Sequence, residues 1–177
     1  METTDRQHFL EIYLNDHLAG ATAGLARFTR AARSHRGTDA GEKLATLRRE
    51  IAEDRRSLSG FMRSLGVRRR LSLQLAGRLG EALVALKPNG RVLRRSPLST
   101  VVELEALTLA VQGKGAGWVS LRELARTDNR LDAGALEDLV QRAQRQAVEL
   151  EGLRRASVVE VLGGVHTGLS VVPPQAG

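Results

Sequence analysis

The stretch FLEIYLNDHLAGATAGLARFTRAA, residues 9–32, decides the fold. Its apolar residues Leu10, Leu14, Leu18, Ala21, Leu25, Phe28 and Ala32 recur at spacings of 4, 4, 3, 4, 3 and 4. That places them on one stripe of a helix, since a half-buried strand would alternate with a period of two. Upstream, Thr4 with Gln7 three residues later forms a capping box for the helix start. Downstream, His35-Arg36-Gly37 interrupts the pattern, and Thr38 or Asp39 caps a second helix carrying Leu44, Leu47, Ile51, Leu58, Met62 and Leu65 up to Gly66. So short a connection makes the two helices an antiparallel hairpin.

A third, shorter helix is expected from about Val67 to Leu86, with Val67, Leu71, Leu75, Leu79 and Leu83 on one face, before Lys87-Pro88-Asn89-Gly90 breaks it. Ser96-Pro97 reads as an N-cap with proline at the first helical position, opening a fourth helix through Leu104, Leu107, Val111, Trp118, Leu121 and Ala125. Asp132 caps a fifth, which carries Leu136, Leu139, Ala143, Ala147, Leu150 and Leu153 and ends at Gly163-Gly164. Four of the helices are long, about 40 to 45 Å at 1.5 Å per residue. The expected fold is therefore all-α: an antiparallel, ferritin-like four-helix bundle with a short fifth helix as the crossover, in one domain over residues 1–162, followed by a flexible tail over 163–177. A plain five-helix bundle is the alternative.

The composition agrees with this. A chain of 177 residues buries enough surface for one core, and 42% hydrophobic with 27% charged residues, built on good helix formers, is a globular balance. The absence of cysteine excludes disulfides, thiolate metal sites and a cysteine nucleophile. The acidic start Met1-Glu2-Thr3-Thr4-Asp5 is unlike a signal peptide, and every apolar run meets a charge or a glycine pair well before about 20 residues, so no transmembrane segment and a cytoplasmic location are expected.

The net charge of +7 is uneven. Basic against acidic residues number 11 to 9 over 1–66, 8 to 1 over 67–95, and 8 to 10 over 96–177, so the excess lies in the middle segment. Its Arg68, Arg69, Arg70, Arg78, Arg91, Arg94 and Arg95 form a basic patch. Read functionally, this patch meets nucleic acid or an anionic membrane. Read structurally, it is the solvated face of a crossover helix. No aromatic residues interleave with these arginines, so stacking on bases is not supported.

Three polar residues stand where the stripes ask for apolar ones: His17 beside Leu14, Leu18 and Ala21; Asp54 between Ile51 and Leu58; Lys114 between Val111 and Trp118. Counting from the first turn, they lie about 19, 18 and 17 residues along their helices, a few Å apart in height at 1.5 Å per residue. One mid-bundle layer is thus expected to hold all three, as a hydrogen-bonded or ionic network that fixes helix register. The alternatives are that one or more of the three reach out to solvent at the stripe edge, or that the layer is a small-ligand or metal site, with Glu50, Asp54, Glu103 and His17 as the metal donors. A di-iron centre needs Glu-x-x-His on two helices, however, and that motif does not occur. No cofactor is therefore expected, a metal ion being the one candidate.

Gly113-Lys114-Gly115-Ala116-Gly117 lacks the earlier glycine and the following Ser or Thr of a phosphate loop, so these glycines are read as close-packing positions in a helix. No Gly-x-Ser-x-Gly and no His-Glu-x-x-His occurs.

Tyr13-Leu14-Asn15-Asp16-His17-Leu18-Ala19-Gly20-Ala21, with Ser96-Pro97-Leu98-Ser99 and Leu104-Glu105-Ala106-Leu107, resembles small, largely uncharacterised all-helical proteins of GC-rich bacteria with ferritin-like bundles, over most of residues 5–160. That resemblance implies the fold and no particular chemistry. The leading functional expectation is a non-catalytic bundle acting through a protein partner or as a homo-oligomer, followed by ligand or metal binding at the central layer.

Overall fold

The structure is a computed structural model, and it describes residues 3–70 and 97–163. These residues form four helices and no strand: α1 Thr3–Ser34, α2 Asp39–Ser64, α3 Pro97–Leu124 and α4 Ala133–Leu162. The caps read from the sequence are in place for two of them. The Thr38 hydroxyl accepts from the Gly41 N–H at 3.1 Å, and Asp132 accepts from the Ala135 N–H at 3.0 Å. Each satisfies a donor that a helix start leaves open. At the Asp132 end of the bundle, α1 already begins at Thr3, one residue before the expected cap. There the Gln7 amide reaches across to the Leu65 carbonyl at 3.5 Å instead.

Cross-helix pairs give the directions. Tyr13 meets Ser120 and His35 meets Glu103, so α1 and α3 are antiparallel. Glu50 meets Gln146 and Asp54 meets Arg142, so α2 and α4 are antiparallel. With the two hairpins α1–α2 and α3–α4, every helix runs opposite to both of its neighbours, while α2 and α3 run the same way. The chain must therefore travel the length of the bundle between them.

The third helix expected from about Val67 does not start there. Gly66 sits at φ +69°, the left-handed turn that ends α2, with Val67 N–H on the Met62 carbonyl at 2.8 Å and Gly66 N–H on the Arg63 carbonyl at 3.1 Å. Residues 67–70 then continue without helical structure. Their backbone is held by one side chain of α1, the buried Asn15. Its amide donates to the Arg68 carbonyl at 3.0 Å, and its carbonyl oxygen accepts from the Arg70 N–H at 2.6 Å. Of these two groups, the Arg68 carbonyl is one that a helix starting at Val67 would have used for its own ladder. The remainder of that expected helix, with Arg78, Arg91, Arg94 and Arg95, and the tail from residue 164 lie outside the described residues.

Two apolar blocks make the core. The lower holds Leu14, Leu58, Met62, Trp118, Leu121, Leu136 and Leu139; the upper holds Phe28, Leu44, Leu47, Leu104, Leu107, Val111 and Leu150. On α1 no hydrophobic side chain between Leu14 and Phe28 is fully buried, although Leu18, Ala21 and Leu25 continue the stripe. The gap between the blocks is where the polar residues lie.

Asn15→Ala strands the Arg70 N–H and the Arg68 carbonyl, and we expect a loss of about 1–3 kcal/mol in urea unfolding. An Asn15→Asp variant keeps the acceptor but buries a charge with an oxygen facing the Glu11 and Arg68 carbonyls, and should lose at least as much.

Candidate functional site

Three helices supply one network between the two blocks. The Lys114 ammonium of α3 donates to Asp54 Oδ2 of α2 and to Gln146 Oε1 of α4. Gln146 in turn donates to Glu50 Oε2 at 2.8 Å, and Arg142 donates to Asp54 Oδ1 at 3.1 Å and to Glu53 at 3.3 Å. Asp54 and Gln146 are almost wholly buried. Burial holds the Lys114 amine below the usual lysine value of 10.5, against the opposing pull of Asp54. The carboxylate has two cations, the ammonium two acceptors and the amide both a donor and an acceptor role, so the network satisfies its members as a buried charge requires.

Of the three residues expected in the layer, the structure joins Asp54 and Lys114 directly and sets His17 apart. The His17 ring lies over the backbone of Gly117, where an added Cβ would stand 2.8 Å from its Cε1 and Nδ1, and it packs edge-on against Tyr13 at 4.5 Å between centroids. The Tyr13 hydroxyl is fixed by Ser120 at 2.9 Å. Gly117 is thus glycine because the imidazole occupies the place of its side chain. Gly115 likewise faces the Ala143 methyl of α4 at 3.4 Å, a helix–helix close approach. The glycine cluster is continuous helix, as α3 spans it.

Gly113 has a different environment, and so do Gly20 and Gly24 on α1: a Cβ built on any of the three meets nothing within 4 Å. All three line a half-open cavity of about 420 Å3 between α1 and α3, floored by Ile51, Asp54 and Arg55 of α2, with Trp118 and Phe28 on its wall and with Leu109 and Gly113 exposed at its mouth. His17 and Lys114 are on its wall. The volume falls within the range of small-molecule sites, roughly 300–1,000 Å3. Among the described residues, the two buried side-chain donors that have no acceptor, Arg55 Nε and Trp118 Nε1, both belong to residues lining this cavity. A larger, more open hollow of about 690 Å3 lies on the outer face between α2 and α4, beside Ser57, Arg63 and Asp138, and touches the network only through Arg142.

The proposed metal donors do not converge. Glu50 is engaged by Gln146, Asp54 by Lys114 and Arg142, and Glu103 lies at the upper end of the bundle, 3.8 Å from His35. Among the described residues no three His, Asp or Glu side chains gather to hold a metal ion, and Lys114 stands where a cation would be needed. Of the basic patch, Arg68 and Arg69 are exposed, while Arg70 pairs with Glu11 at 3.0 Å. No described helix is long and apolar enough to cross a membrane. Gln146, Arg142, Arg55 and Asn15 were not singled out by the sequence; each sits beside an apolar stripe, where a polar residue is ordinary.

Lys114→Met leaves Asp54 buried with one cation, and we expect about 3 kcal/mol of destabilisation in chemical unfolding, recovered in large part by the double variant Asp54→Leu with Lys114→Met. A second expectation concerns acid. Burial holds the His17 imidazole below its ordinary 6.5, with Asp16 opposing. The unfolded chain therefore takes up this proton at higher pH than the folded one. Stability is complete above about pH 6.5 and declines as the pH falls through that value toward the lower folded one. His17→Gln should flatten the fall in Tm between about pH 7 and pH 5. No family model, curated protein or solved structure matches the chain.

Proposed function

We propose that this protein is a non-catalytic, ligand-binding helical bundle that holds a small molecule with an apolar body in the cavity between α1 and α3. One observation carries the proposal: Gly20, Gly24 and Gly113 line a cavity that has room for side chains at all three positions. Glycine inside a helix costs about 1 kcal/mol against alanine, and close packing does not account for these three as it does for Gly115 and Gly117. Space kept open at a cost in helix stability is what a binding site requires. Apolar walls from Phe28, Ile51 and Val111 suit a hydrocarbon or aromatic body. The single long connection between α2 and α3 and the resemblance around residues 13–21 support a ferritin-like assignment, here with an ammonium instead of a metal in the central layer.

A second reading, association with a protein partner or another copy, has one observation in its favour. Leu98, Val102 and Leu109 are 48%, 42% and 65% exposed on one face of α3. A mass by light scattering that rises with concentration, and that Leu98→Lys with Val102→Lys returns to one chain, is the expected outcome of that reading.

The binding reading is tested with the one tryptophan, Trp118, as reporter and n-decanol as a neutral probe. We expect saturable quenching or enhancement of its fluorescence at one equivalent, and loss of that response in Gly20→Leu with Gly24→Leu. The triple variant Gly20→Ala, Gly24→Ala, Gly113→Ala should unfold about 2 kcal/mol later than the parent. If it is instead destabilised, protein atoms fill the space and the proposal fails.

A further inference from the structure

Resting on the cavity reading above, a separate set of observations identifies the polar end of the ligand. The ionisable side chains on the cavity wall besides His17 are Arg27, Arg55 and Lys114 against Asp16 and Asp54. Asp54 is neutralised by direct contact with Lys114 and by Arg142, and Asp16 is exposed to water. Neither Arg27 nor Arg55 has an ion pair or hydrogen bond to a described side chain, although both are partly buried. With Lys114 and Asp54 paired, Arg27 and Arg55 against Asp16 leave the wall with a net positive charge.

Arg55 is the more informative of the two. It follows Asp54 on α2, so it stands at the height of the polar network, and Trp118, one turn beyond Lys114 on α3, is close to the same level. Trp118 is 3% exposed and its indole N–H has no acceptor; the Arg55 Nε is buried and also has none. Both groups are donors that can never accept, so only an acceptor completes them. Leaving buried donors unmet is unfavourable, and an entering acceptor relieves it. Arginine meets a carboxylate with two parallel N–H donors, a geometry that an alcohol cannot match and an amine opposes.

We propose that the cavity takes an amphipathic anion: an apolar body whose carboxylate or equivalent monoanionic head is held by Arg55. Arg27 lies nearly three turns further along α1, about 15 Å in height from the level of His17, and adds long-range attraction without touching the head.

The experiment compares three probes with one body and different heads, decanoate, n-decanol and decylamine, each titrated against Trp118 fluorescence of the full chain below its micellar concentration. Decanoate should bind at least about tenfold more tightly than decanol, and decylamine more weakly than either. Arg55→Gln should erase the preference for decanoate while decanol still binds saturably, which also shows that the variant is folded. Arg55→Lys should restore part of the preference, and Arg27→Gln should reduce it only at low salt. Equal binding of the three probes, or tightest binding of decylamine, overturns the anionic ligand while leaving the cavity reading intact. A preference for decanoate that survives in Arg55→Gln overturns the placement of the head. Failure of all three to bind removes the cavity reading itself.

Discussion

The Lys114 ammonium holds three helices at one height. It is anchored on α3, donates to Asp54 on α2 and to Gln146 on α4, and none of the three is well solvated. Sliding α2 by one turn, 5.4 Å, would leave a buried charge without its counter-charge, and sliding α4 would strip Lys114 of its Gln146 acceptor and Asp54 of Arg142, whereas apolar contacts in the same place would merely be exchanged. The network is therefore worth more as a constraint on register than as net stability. It also divides the core. Above it Phe28, Leu107 and Leu150 close one block; below it Leu14, Trp118 and Leu136 close the other. On the side of α2 and α4 polar groups fill the space between the blocks, and on the side of α1 the cavity does.

The lower end of the bundle depends on Asn15 in a similar way. Because α2 and α3 run the same way, the chain leaving α2 has to cross the height of the molecule. Asn15 and the Glu11–Arg70 pair fix its first steps against α1. With α2 ended at Gly66 by a left-handed residue, the path departs beside α1.

Much of this is legible in the residues, and what is not has a physical reason. Thr38 and Asp132 announce two helix starts because capping is local, readable from four consecutive residues. Asp54 and Lys114 stand out because they interrupt a period, and counting along the helices brings them to one height. His17 interrupts a period too, yet its ring turns to Gly117 and Tyr13, a choice made by rotamer and neighbour that spacing does not encode. Gln146 and Arg142 sit among Ala143 and Ala147, where a polar residue reads as the edge of the stripe; only the packing of α4 on α2 turns them inward. Asn15 bonds to backbone more than fifty residues away, and backbone leaves no mark in a sequence. The cavity is the hardest to foresee, being a place where side chains are missing. Its trace is Gly20, Gly24 and Gly113, which sequence alone does not distinguish from the close-packed Gly115 and Gly117.

The arrangement of blocks bears on how the molecule assembles. Residues 35–38 join α1 to α2 and residues 125–132 join α3 to α4, so each hairpin closes a short loop at little entropic cost. Docking one hairpin on the other must close the far longer path between Ser64 and Pro97, and it is that step which brings Lys114 to Asp54. Until then Lys114 keeps its hydration and α3–α4 has no partner for the lower and upper blocks. The longest-range closure in the fold is thus the one that dehydrates an ion pair.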